Sequence, residues 1–448
     1  MNLIRSRTLL TRFLWATPRY KLQYFRKTKD LVVGKIWNFL TRSASDKAVM
    51  ARANSIISRA IELGRKGRLR IAPERISISA TEACNLECIM CPGHAGKSGP
   101  TLSIEQAEAL FLGLTNDNVH MGQPKLLDMT AGEPTLNRDL GPIYRKFKEL
   151  YPNAKISMIS NATVPVRGRI REAFELTDYV GMSMDGATPA TYERIRKGSV
   201  YKNVVRNVRD VATIKKEGVN CDSVQLLFVA MDQNIHELAE MVRLAHSLGV
   251  PRVFMQESEV RTTPFNTEGQ NIALNLSNAE LSPFVAEAVA EAKRLGVELT
   301  LTSRLQDALK SDSPSGSEYA QSTSTAENIT QPRLTLKEGI KSCHYPWFYA
   351  PRVVQNRSGE VHPTLVCCHM PHADEGGNLR RHPELKQKSI VEIFNSEVYW
   401  NFRARLLDGT LATTACRDCQ YFRMTQWTPK QLRDLETVVN EELDRGQI

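Results

Sequence analysis

The chain has 448 residues, which is enough for two or three domains with an ample apolar core. It contains no run of about 18 apolar residues, which excludes a membrane-spanning helix. Arg12 and Arg19 interrupt any apolar stretch that could act as a secretion signal. We therefore expect a cytoplasmic protein whose nine cysteines bind metal rather than form disulfides, because reducing thiol pools keep such residues unpaired.

The positive charge is concentrated at the front of the chain. Residues 1–70 carry 17 Lys and Arg against 3 Asp and Glu, a balance of +14, so with a total of +10 the remaining residues sum to −4. Within residues 1–45, apolar side chains at helical spacing alternate with cations. This composition is typical of an interfacial helix on anionic lipid and predicts peripheral contact with the inner face of a membrane. The alternative is that these helices pack on the next domain. No nucleic-acid-binding motif is present, so we do not expect nucleic acid as a partner.

Three cysteines follow the first predicted strand. The alternating run 76–80 leads into Cys84, Cys88 and Cys91, spaced C-x3-C-x2-C. Thiolates hold iron–sulfur clusters, and a [4Fe–4S] cluster normally takes four of them. Three thiolates from one loop leave one iron open to a small molecule. Two alternatives stay open: buried cysteines that act as small apolar residues, and a structural zinc site that takes His94 as a fourth ligand.

Strands and helices alternate through the middle of the chain. Apolar runs indicate strands at 76–80, 125–130, 155–160, 179–184, 224–231 and 252–256. Helical periodicity indicates helices at 103–114, 139–150, 168–176, 201–217, 235–248 and 277–295. Six such units imply a parallel sheet with right-handed crossovers. Periodicity permits either an open doubly wound sheet or a partial barrel, and both place the active site at the carboxyl ends of the strands.

Two further motifs stand at strand ends. The second strand is followed by a turn of small and acidic residues, Ala131-Gly132-Glu133-Pro134, and the fourth strand ends in Ser183-Met184-Asp185-Gly186. A small residue lets the backbone approach a ligand closely, and Glu133 offers an anionic acceptor to an ammonium group. In their order and their positions at strand ends, these two motifs and the cysteine loop resemble the signature of the radical S-adenosylmethionine (radical SAM) enzymes.

The resemblance implies a fold and a set of roles. The fold is α/β, a partial (β/α)6 TIM-like barrel with a [4Fe–4S] cluster on the three cysteines. The turn Ala131–Pro134 is similar to the family's G-G-E-P element, with Ala131 in place of the first glycine, and binds the amino group of SAM. Ser183 first, and Asp185 second, contacts the ribose. Met90 stands where an aromatic residue often covers the adenine, and a core methionine is the equal alternative.

A second set of cysteines lies near the end of the chain, after the polar stretch 303–342, which is interpreted as a linker. Its members are Cys343, Cys367, Cys368, Cys416 and Cys419. They resemble the SPASM/twitch extension of radical SAM enzymes. This implies one auxiliary [4Fe–4S] cluster on Cys343, Cys416, Cys419 and one of the pair Cys367 and Cys368. Zinc competes for this site because four thiolates suit it as well.

The predicted organisation has four parts: a basic helical N-terminal extension (1–70), the radical SAM core (71–302), the polar linker (303–342) and the auxiliary domain (343–448). In the last part, Thr428 and Pro429 predict the start of a final helix, because threonine caps helices and proline is tolerated in the first turn.

The resemblance also implies an activity. A low-potential donor such as flavodoxin or ferredoxin reduces the cluster, and SAM is cleaved to methionine and a 5′-deoxyadenosyl radical that abstracts hydrogen from a substrate. The auxiliary cluster assists, which favours an oxidation. Residues 1–70 lack the alternating pattern of a leader-binding domain, so we favour a small, carbohydrate-like or lipid-linked substrate over a peptide. A non-catalytic iron–sulfur scaffold or electron carrier is the alternative of another class, and the motifs at Gly132-Glu133 and Ser183 disfavour it.

Overall fold

A computed structural model describes residues 46–91, 98–114, 118–218, 223–257, 273–310, 345–350, 352–355, 361–365, 382–385, 388–408 and 427–445. Residues 1–45, with the predicted interfacial helices, lie outside the described residues, and so does His94. The same holds for the five cysteines of the predicted auxiliary cluster, Cys343, Cys367, Cys368, Cys416 and Cys419.

Nine of the eleven strands in the described part of the chain form one sheet, in the order β11-β10-β1-β3-β4-β5-β7-β8-β9. The strands are β1 Arg75–Ile78, β2 Glu87–Cys88, β3 Leu126–Met129, β4 Lys155–Ser160, β5 Tyr179–Ser183, β6 Arg196–Lys197, β7 Ser223–Ala230, β8 Arg252–Glu257, β9 Glu298–Thr300, β10 Arg352–Gln355 and β11 Val361–Leu365. Every neighbouring pair in this sheet is parallel except β10 and β11. Strands β2 and β6 form a separate antiparallel ladder.

The sheet does not close, since β9 and β11 are its two edges within the described residues. An open, mostly parallel sheet with helical crossovers confirms the α/β class and the partial barrel that we expected. All six predicted strands are present, with ends within about two residues of those expected. Alternation explains one of them directly: Ile156, Met158 and Ser160 of β4 are buried, and the residues between them are more exposed.

The helices are α1 Asp46–Arg65, α2 Ile104–Leu112, α3 Leu140–Leu150, α4 Arg169–Leu176, α5 Pro189–Ile195, α6 Tyr201–Glu217, α7 Leu238–Ser247, α8 Asn278–Leu295, α9 Ser303–Lys310, α10 Tyr345–Phe348, α11 Ile390–Phe394, α12 Glu397–Asp408 and α13 Pro429–Arg445. All six helices predicted for the middle of the chain are present. The last helix also begins as predicted, because the Thr428 hydroxyl accepts from the Gln431 amide at 3.2 Å. Within the described residues, no helix is both long enough and apolar enough to cross a membrane.

Two hydrophobic cores organise the chain. The first, which we call the sheet core, lies between the strands and helices α2 to α9 and includes Ile76, Phe147, Met182 and Phe228. Leu305 and Ala308 of α9 belong to it, so the chain still contributes to this core at the start of the stretch interpreted as a linker.

The second core, which we call the end core, joins α1 to the last helices of the chain. It contains Ile57, Trp347, Trp400, Trp427 and Leu435, all with 2% exposure or less. The two cores meet at α11, where Ile390 belongs to the sheet core and Ile393 and Phe394 belong to the end core. Directly after this helix, Asn395 accepts from the Ile71 amide at 2.8 Å and donates to the Ile71 carbonyl at 2.8 Å.

Candidate active site

The cysteine loop follows β1 and is held in place by the two-residue ladder of β2 and β6. Cys88 pairs with Arg196 across this ladder. The Ile89 amide continues it by donating to the Ile195 carbonyl at 3.1 Å, and the Cys91 amide donates to the Cys88 carbonyl at 3.1 Å. The loop backbone is therefore fixed by a segment that lies more than a hundred residues further along the chain.

Two side chains direct N–H donors at the cysteine sulfurs. Arg196 Nη1 lies 3.7 Å from Cys88 Sγ, and Asn161 Nδ2 lies 3.9 Å from Cys84 Sγ. Burial raises the pKa of Cys84, and burial raises the pKa of Cys88 to about 11 although the Arg196 charge opposes this. Without metal, the thiols of Cys84 and Cys88 stay protonated near neutral pH, so their binding to iron releases protons.

The donor set fits a cluster better than a single ion. Among the residues that the structure describes, no three Cys, His, Asp or Glu side chains converge where one metal ion could sit. A structural zinc ion needs four ligands around one point. A cubane cluster spreads its ligands, because each thiolate binds a different iron atom. Three half-buried thiols on one loop, two of them faced by N–H donors, match the second arrangement.

The turn after β3 rests on the cysteine loop. Ala131 has φ +87° and Gly132 has φ +57°. A Cβ atom on Gly132 would lie 2.4 Å from the Thr81 carbonyl oxygen and 2.5 Å from that of Ala83, so a side chain cannot fit there. The Glu133 amide donates to the Ala83 carbonyl at 2.7 Å. The two motifs that the sequence predicts at neighbouring strand ends are therefore in direct contact.

The Glu133 carboxylate is buried and accepts hydrogen bonds from residues at the end of β4. Its Oε1 accepts from the Thr135 amide at 3.1 Å, the Thr135 hydroxyl at 2.5 Å and the Ser160 hydroxyl at 2.8 Å, and its Oε2 accepts from the Asn161 amide at 2.6 Å. Burial raises the pKa of Glu133, although these hydrogen bonds act in the opposite direction. A carboxylate offers about four acceptor positions, so Oε2 is the oxygen with capacity for another donor. The predicted contact of Glu133 with an ammonium group stays a prediction.

The two ribose candidates differ in accessibility. Ser183, the last residue of β5, is 8% exposed. Asp185 is fully buried, and its Oδ1 accepts from the Val229 amide at 2.7 Å while its Oδ2 accepts from Arg196 Nε at 2.6 Å. Burial raises the pKa of Asp185 against the effect of Arg196. This geometry favours Ser183 as the ligand contact and gives Asp185 the role of holding Arg196.

Pro134 and Met90 complete the predicted set. Pro134 is buried and begins a short 3-10 helix, Pro134–Leu136, that follows the turn. Met90 is partly buried and packs with Ile89 on the buried pair Ile195 and Met231. This small apolar cluster lies beside the cysteine loop, so both interpretations of Met90, as an adenine cover and as a packing residue, agree with its position.

Sequence reasoning missed Asn161 and Arg196. Asn161 directly follows β4, and its Nδ2 also donates to Asn85 Oδ1 at 3.0 Å. The rule that sites gather at the carboxyl ends of parallel strands could have found it. Arg196 lies in an antiparallel ladder between distant segments, which no local pattern reveals.

The fold and the site define a parallel α/β domain with a thiol loop at the carboxyl edge of its sheet. Residues 78–245 match the model of the Radical SAM superfamily. This segment therefore carries a radical SAM domain, as the three motifs predict.

Curated relatives are similar to about two fifths of the chain. A probable GTP 3′,8-cyclase from Saccharolobus islandicus is 26% identical over 184 residues, which are 41% of this chain and 56% of that protein. A probable GTP 3′,8-cyclase from Saccharolobus solfataricus is 26% identical over 185 residues, again 41% and 56%. The chain thus spans little more than half the length of the curated relatives it matches.

Solved structures extend the similarity to more of the fold. Streptococcus suis SuiB bound to precursor peptide SuiA has a TM-score of 0.51 at 13% identity, covering 81% of this chain and 72% of that one. The same protein bound to S-adenosylmethionine has a TM-score of 0.50 at 13% identity, covering 81% and 74%. At this identity the similarity concerns the fold alone.

Proposed function

We propose that this chain cleaves SAM reductively at a [4Fe–4S] cluster on Cys84, Cys88 and Cys91, and that the resulting 5′-deoxyadenosyl radical abstracts hydrogen from a substrate. The observation that carries the proposal is the contact between the Gly132-Glu133 turn and the cysteine loop. When bound, the cluster supplies the electron and one open iron. A simple electron carrier needs no second motif at that position, which argues against the scaffold alternative.

The chain's own residues supply binding and orientation. Arg196 and Asn161 direct N–H groups toward the sulfurs of Cys88 and Cys84, and such hydrogen bonds stabilise thiolate ligands and influence the potential of the cluster. Glu133 Oε2 offers an acceptor for the amino group of SAM, and the Ser183 hydroxyl offers a polar contact for the ribose. Buried β-strand ends around these groups exclude water, which protects a reactive species from quenching.

We further propose one auxiliary [4Fe–4S] cluster on Cys343, Cys416, Cys419 and either Cys367 or Cys368. The support is the pattern of the cysteines, which lie outside the described residues. Among the described residues of this part of the chain, a capping box at Ser389 opens α11, and α13 begins where Thr428 and Pro429 predict it. When bound there, such a cluster would supply an acceptor for the electron left on a product radical, and the net reaction would be an oxidation.

For the substrate we propose a small, carbohydrate-like or lipid-linked molecule. Support comes from α1, which is helical over Asp46–Arg65 and packs into the end core instead of forming a stranded leader-binding domain. Relatives that are similar over 41% of this chain carry the name of a probable GTP 3′,8-cyclase. Peptide modification is the alternative, since a protein of similar fold has been solved with a precursor peptide.

The test is SAM cleavage in anaerobically reconstituted protein with dithionite as the reductant. We expect the full chain to release 5′-deoxyadenosine, and a variant with alanine at Cys84, Cys88 and Cys91 to release none. Cys221→Ala, which removes the cysteine outside both motifs, is the matched control and retains activity. Equal product from the triple variant and the full chain contradicts the proposal.

Metal analysis tests the number of clusters. Iron and sulfide each approach about eight per chain, as two [4Fe–4S] clusters require, and the triple alanine variant retains about half. A second variant with alanine at Cys416 and Cys419 retains about half as well, and still cleaves SAM. If zinc and no iron remains in the triple variant, the C-terminal cysteines form a zinc module and the auxiliary-cluster proposal is wrong.

A further inference from the structure

A basic surface begins at the β2–β6 ladder that holds the cysteine loop and continues along α6. Between Glu193 and Asp210, five exposed cations stand against two exposed carboxylates, those of Glu193 and Asp210. We call this surface the basic face and define it by those cations, Arg194, Lys197, Lys202, Arg206 and Arg209. Residues 71–448 together carry a net charge of −4, so the basic face is a local reversal of charge.

The cations of the basic face point their charge to solvent. Lys202, Arg206 and Arg209 follow one another at intervals of four and three residues along α6, which places them on one side of the helix. Arg194 is held by Gln233, to whose carbonyl it donates at 3.2 Å. In the part of the chain that the structure describes, no ion pair joins Lys197, Lys202 or Arg206 to a carboxylate. The exposed Glu87 is the cross-strand partner of Lys197, so Lys202 and Arg206 are the cations whose charge is least opposed.

An apolar side chain lies within the basic face. Val200 is 53% exposed and lies between Lys197 and Lys202 in the chain, directly before α6. Exposed apolar area within a ring of charge is the pattern of a protein interface, where the apolar contact is desolvated and the charges guide encounter.

The end of the basic face at Lys197 lies beside the cysteine loop, because Lys197 pairs with Glu87, the residue before Cys88. Arg196 and Cys88 are direct cross-strand partners, which places their Cα atoms about 5 Å apart. A Cβ atom on Gly198 would contact the Asn85 carbonyl oxygen of the cysteine loop at 3.4 Å. The ring of Tyr201, at the surface, packs edge-on at 5.6 Å against the buried ring of Tyr192. A redox partner seated on this face is thus brought close to the cluster ligands.

We propose that the basic face is the docking site of an acidic, low-potential one-electron donor protein, of the flavodoxin or ferredoxin class. The inference rests on the proposed function, because a donor is needed only if the cysteine loop holds a reducible cluster. The donor transfers one electron to the cluster, so the donor is oxidised by one electron and the cluster is reduced by one electron. Charge complementarity selects an acidic partner and accelerates encounter at low ionic strength.

The experiment compares two reductants on the same full-length, reconstituted protein. Dithionite is small and reaches the cluster without docking, whereas reduced flavodoxin must dock. The variants are Lys202→Glu and the double change Lys202→Glu with Arg206→Glu. Lys216→Glu is the matched control, with the same charge reversal in the last turn of the same helix, away from the cysteine loop. A glutamate at position 202 lies in the first helical turn, where the helix dipole favours it, so loss of stability does not explain a defect.

With flavodoxin below saturation and at low salt, we expect the single variant to slow cluster reduction about threefold and the double variant about tenfold. Electron paramagnetic resonance follows the reduced cluster without SAM, and 5′-deoxyadenosine formation gives a second readout. With dithionite, all variants match the unmodified chain. Added salt slows flavodoxin-driven reduction of the unmodified chain and has less effect on the double variant.

Each outcome separates the two proposals. If the double variant accepts electrons from flavodoxin as fast as the unmodified chain, or if Lys216→Glu is equally slow, the basic face is not the docking site. If dithionite itself yields no reduced cluster and no 5′-deoxyadenosine from the unmodified chain, the proposed function fails, and the docking proposal fails with it.

Discussion

The two hydrophobic cores of this chain are assembled from different parts of the sequence. The sheet core joins residues of successive strand–helix units, from Ile76 to Ala308. The end core joins residues 53–71 to residues 347–439, and a hydrogen bond between Arg52 and Glu436 spans 384 positions. Contacts over such separations require a large loop to close before they form, and the helical periodicity of each segment does not reveal which distant segment it packs against.

The cores also differ in chemistry. The sheet core is mainly aliphatic, with methionines at the strands and a few aromatic pairs such as Phe111 and Phe147 at 5.1 Å. The end core is built on three tryptophans, with Trp347 in edge contact with Trp400 at 5.7 Å and with Trp427 at 5.3 Å. A few large rings thus fill the end core, whereas many aliphatic side chains at repeated positions fill the sheet core. One substitution in the end core therefore removes a larger share of its packing.

The largest effect is expected from truncating one ring in each core. Trp400→Ala and Phe147→Ala each remove a buried aromatic side chain, and each lowers the free energy of unfolding by about 3 to 5 kcal/mol. Because α11 contributes residues to both cores, we expect tryptophan fluorescence and circular dichroism to give coincident denaturation curves for both variants. If Trp400→Ala shifts the denaturation midpoint measured by fluorescence but not the midpoint measured by circular dichroism, the end core unfolds as a separate unit.

The next largest effect concerns the buried arginine of the end core. The Arg403 guanidinium lies 4.2 Å from the ring centre of Trp400 and 4.6 Å from that of Phe394, and burial lowers its pKa to about 9. Arg403→Lys keeps a charge but loses the planar stacking, so we expect a loss of about 2 to 3 kcal/mol in urea denaturation. Arg403→Met removes the buried charge and fills similar space, with a loss of about 1 kcal/mol. The reverse order of the two variants contradicts this explanation.

Asp178 is a buried carboxylate beside the sheet core. Its titration predicts that the fold loses stability in acid. Burial favours a higher pKa for Asp178, but hydrogen bonds from Lys148 at 2.7 Å, from Lys155 and from the Ile156 amide hold it below its ordinary range. A carboxylate whose pKa is lowered by folding stabilises the folded state. This stabilisation is complete at pH values above the pKa of the unfolded state, about 3.9, and is lost as the pH falls through the pKa of the folded state. Asp178→Asn therefore costs about 2 kcal/mol at neutral pH.

The measurement for Asp178 is urea denaturation between neutral pH and pH values below the ordinary range of aspartate. The difference between the unmodified chain and Asp178→Asn shrinks as the medium becomes more acidic. Arg403→Met gives the control, because its effect does not change over that range. A constant difference for Asp178→Asn shows that the two lysines do not lower its pKa.

The smallest effect is expected at two alanines with left-handed backbone. Ala131 and Ala162 have φ of +87° and +59°. Since a Cβ atom in this region costs about 1 to 2 kcal/mol and glycine adds about 0.5 to 1 kcal/mol of backbone entropy, Ala131→Gly and Ala162→Gly each stabilise the fold by about 0.5 kcal/mol. Ala173→Gly, in the helix α4, is the control and destabilises by about 1 kcal/mol. Thermal denaturation distinguishes the opposite signs.

Sequence periodicity predicts the sheet core well because each unit carries its own pattern. Elements such as β4 and α6 have the ends that their alternation or amphipathic spacing indicates. The helix α5 was missed, although Thr188 caps it and Pro189 occupies its first turn, because those residues were assigned to a turn. The strand β9 has three residues, too few for a periodic signal.

The residues of the candidate site also fall into two groups, those that local sequence patterns predict and those that they do not. Cys84, Gly132 and Ser183 were found because each follows or ends a strand, and carboxyl ends of parallel strands share one edge. Arg196 and the tryptophans of the end core were not assigned to any site or core, since their positions depend on pairings between distant segments. Long-range pairing, rather than residue type, sets the limit of what local patterns predict.

The packing of α1 in the end core has a consequence for shortening this protein. Gly64 of α1 lies so close to Trp400 that a Cβ atom there would be 2.2 Å from the indole ring. A truncation that stops at residue 45 keeps this helix whole and leaves the three tryptophans covered. A deletion that continues into α1 uncovers aromatic surface more than 280 residues away, and we expect it to yield aggregated protein. Any minimal version of the radical SAM domain must therefore carry both α1 and α13, or neither.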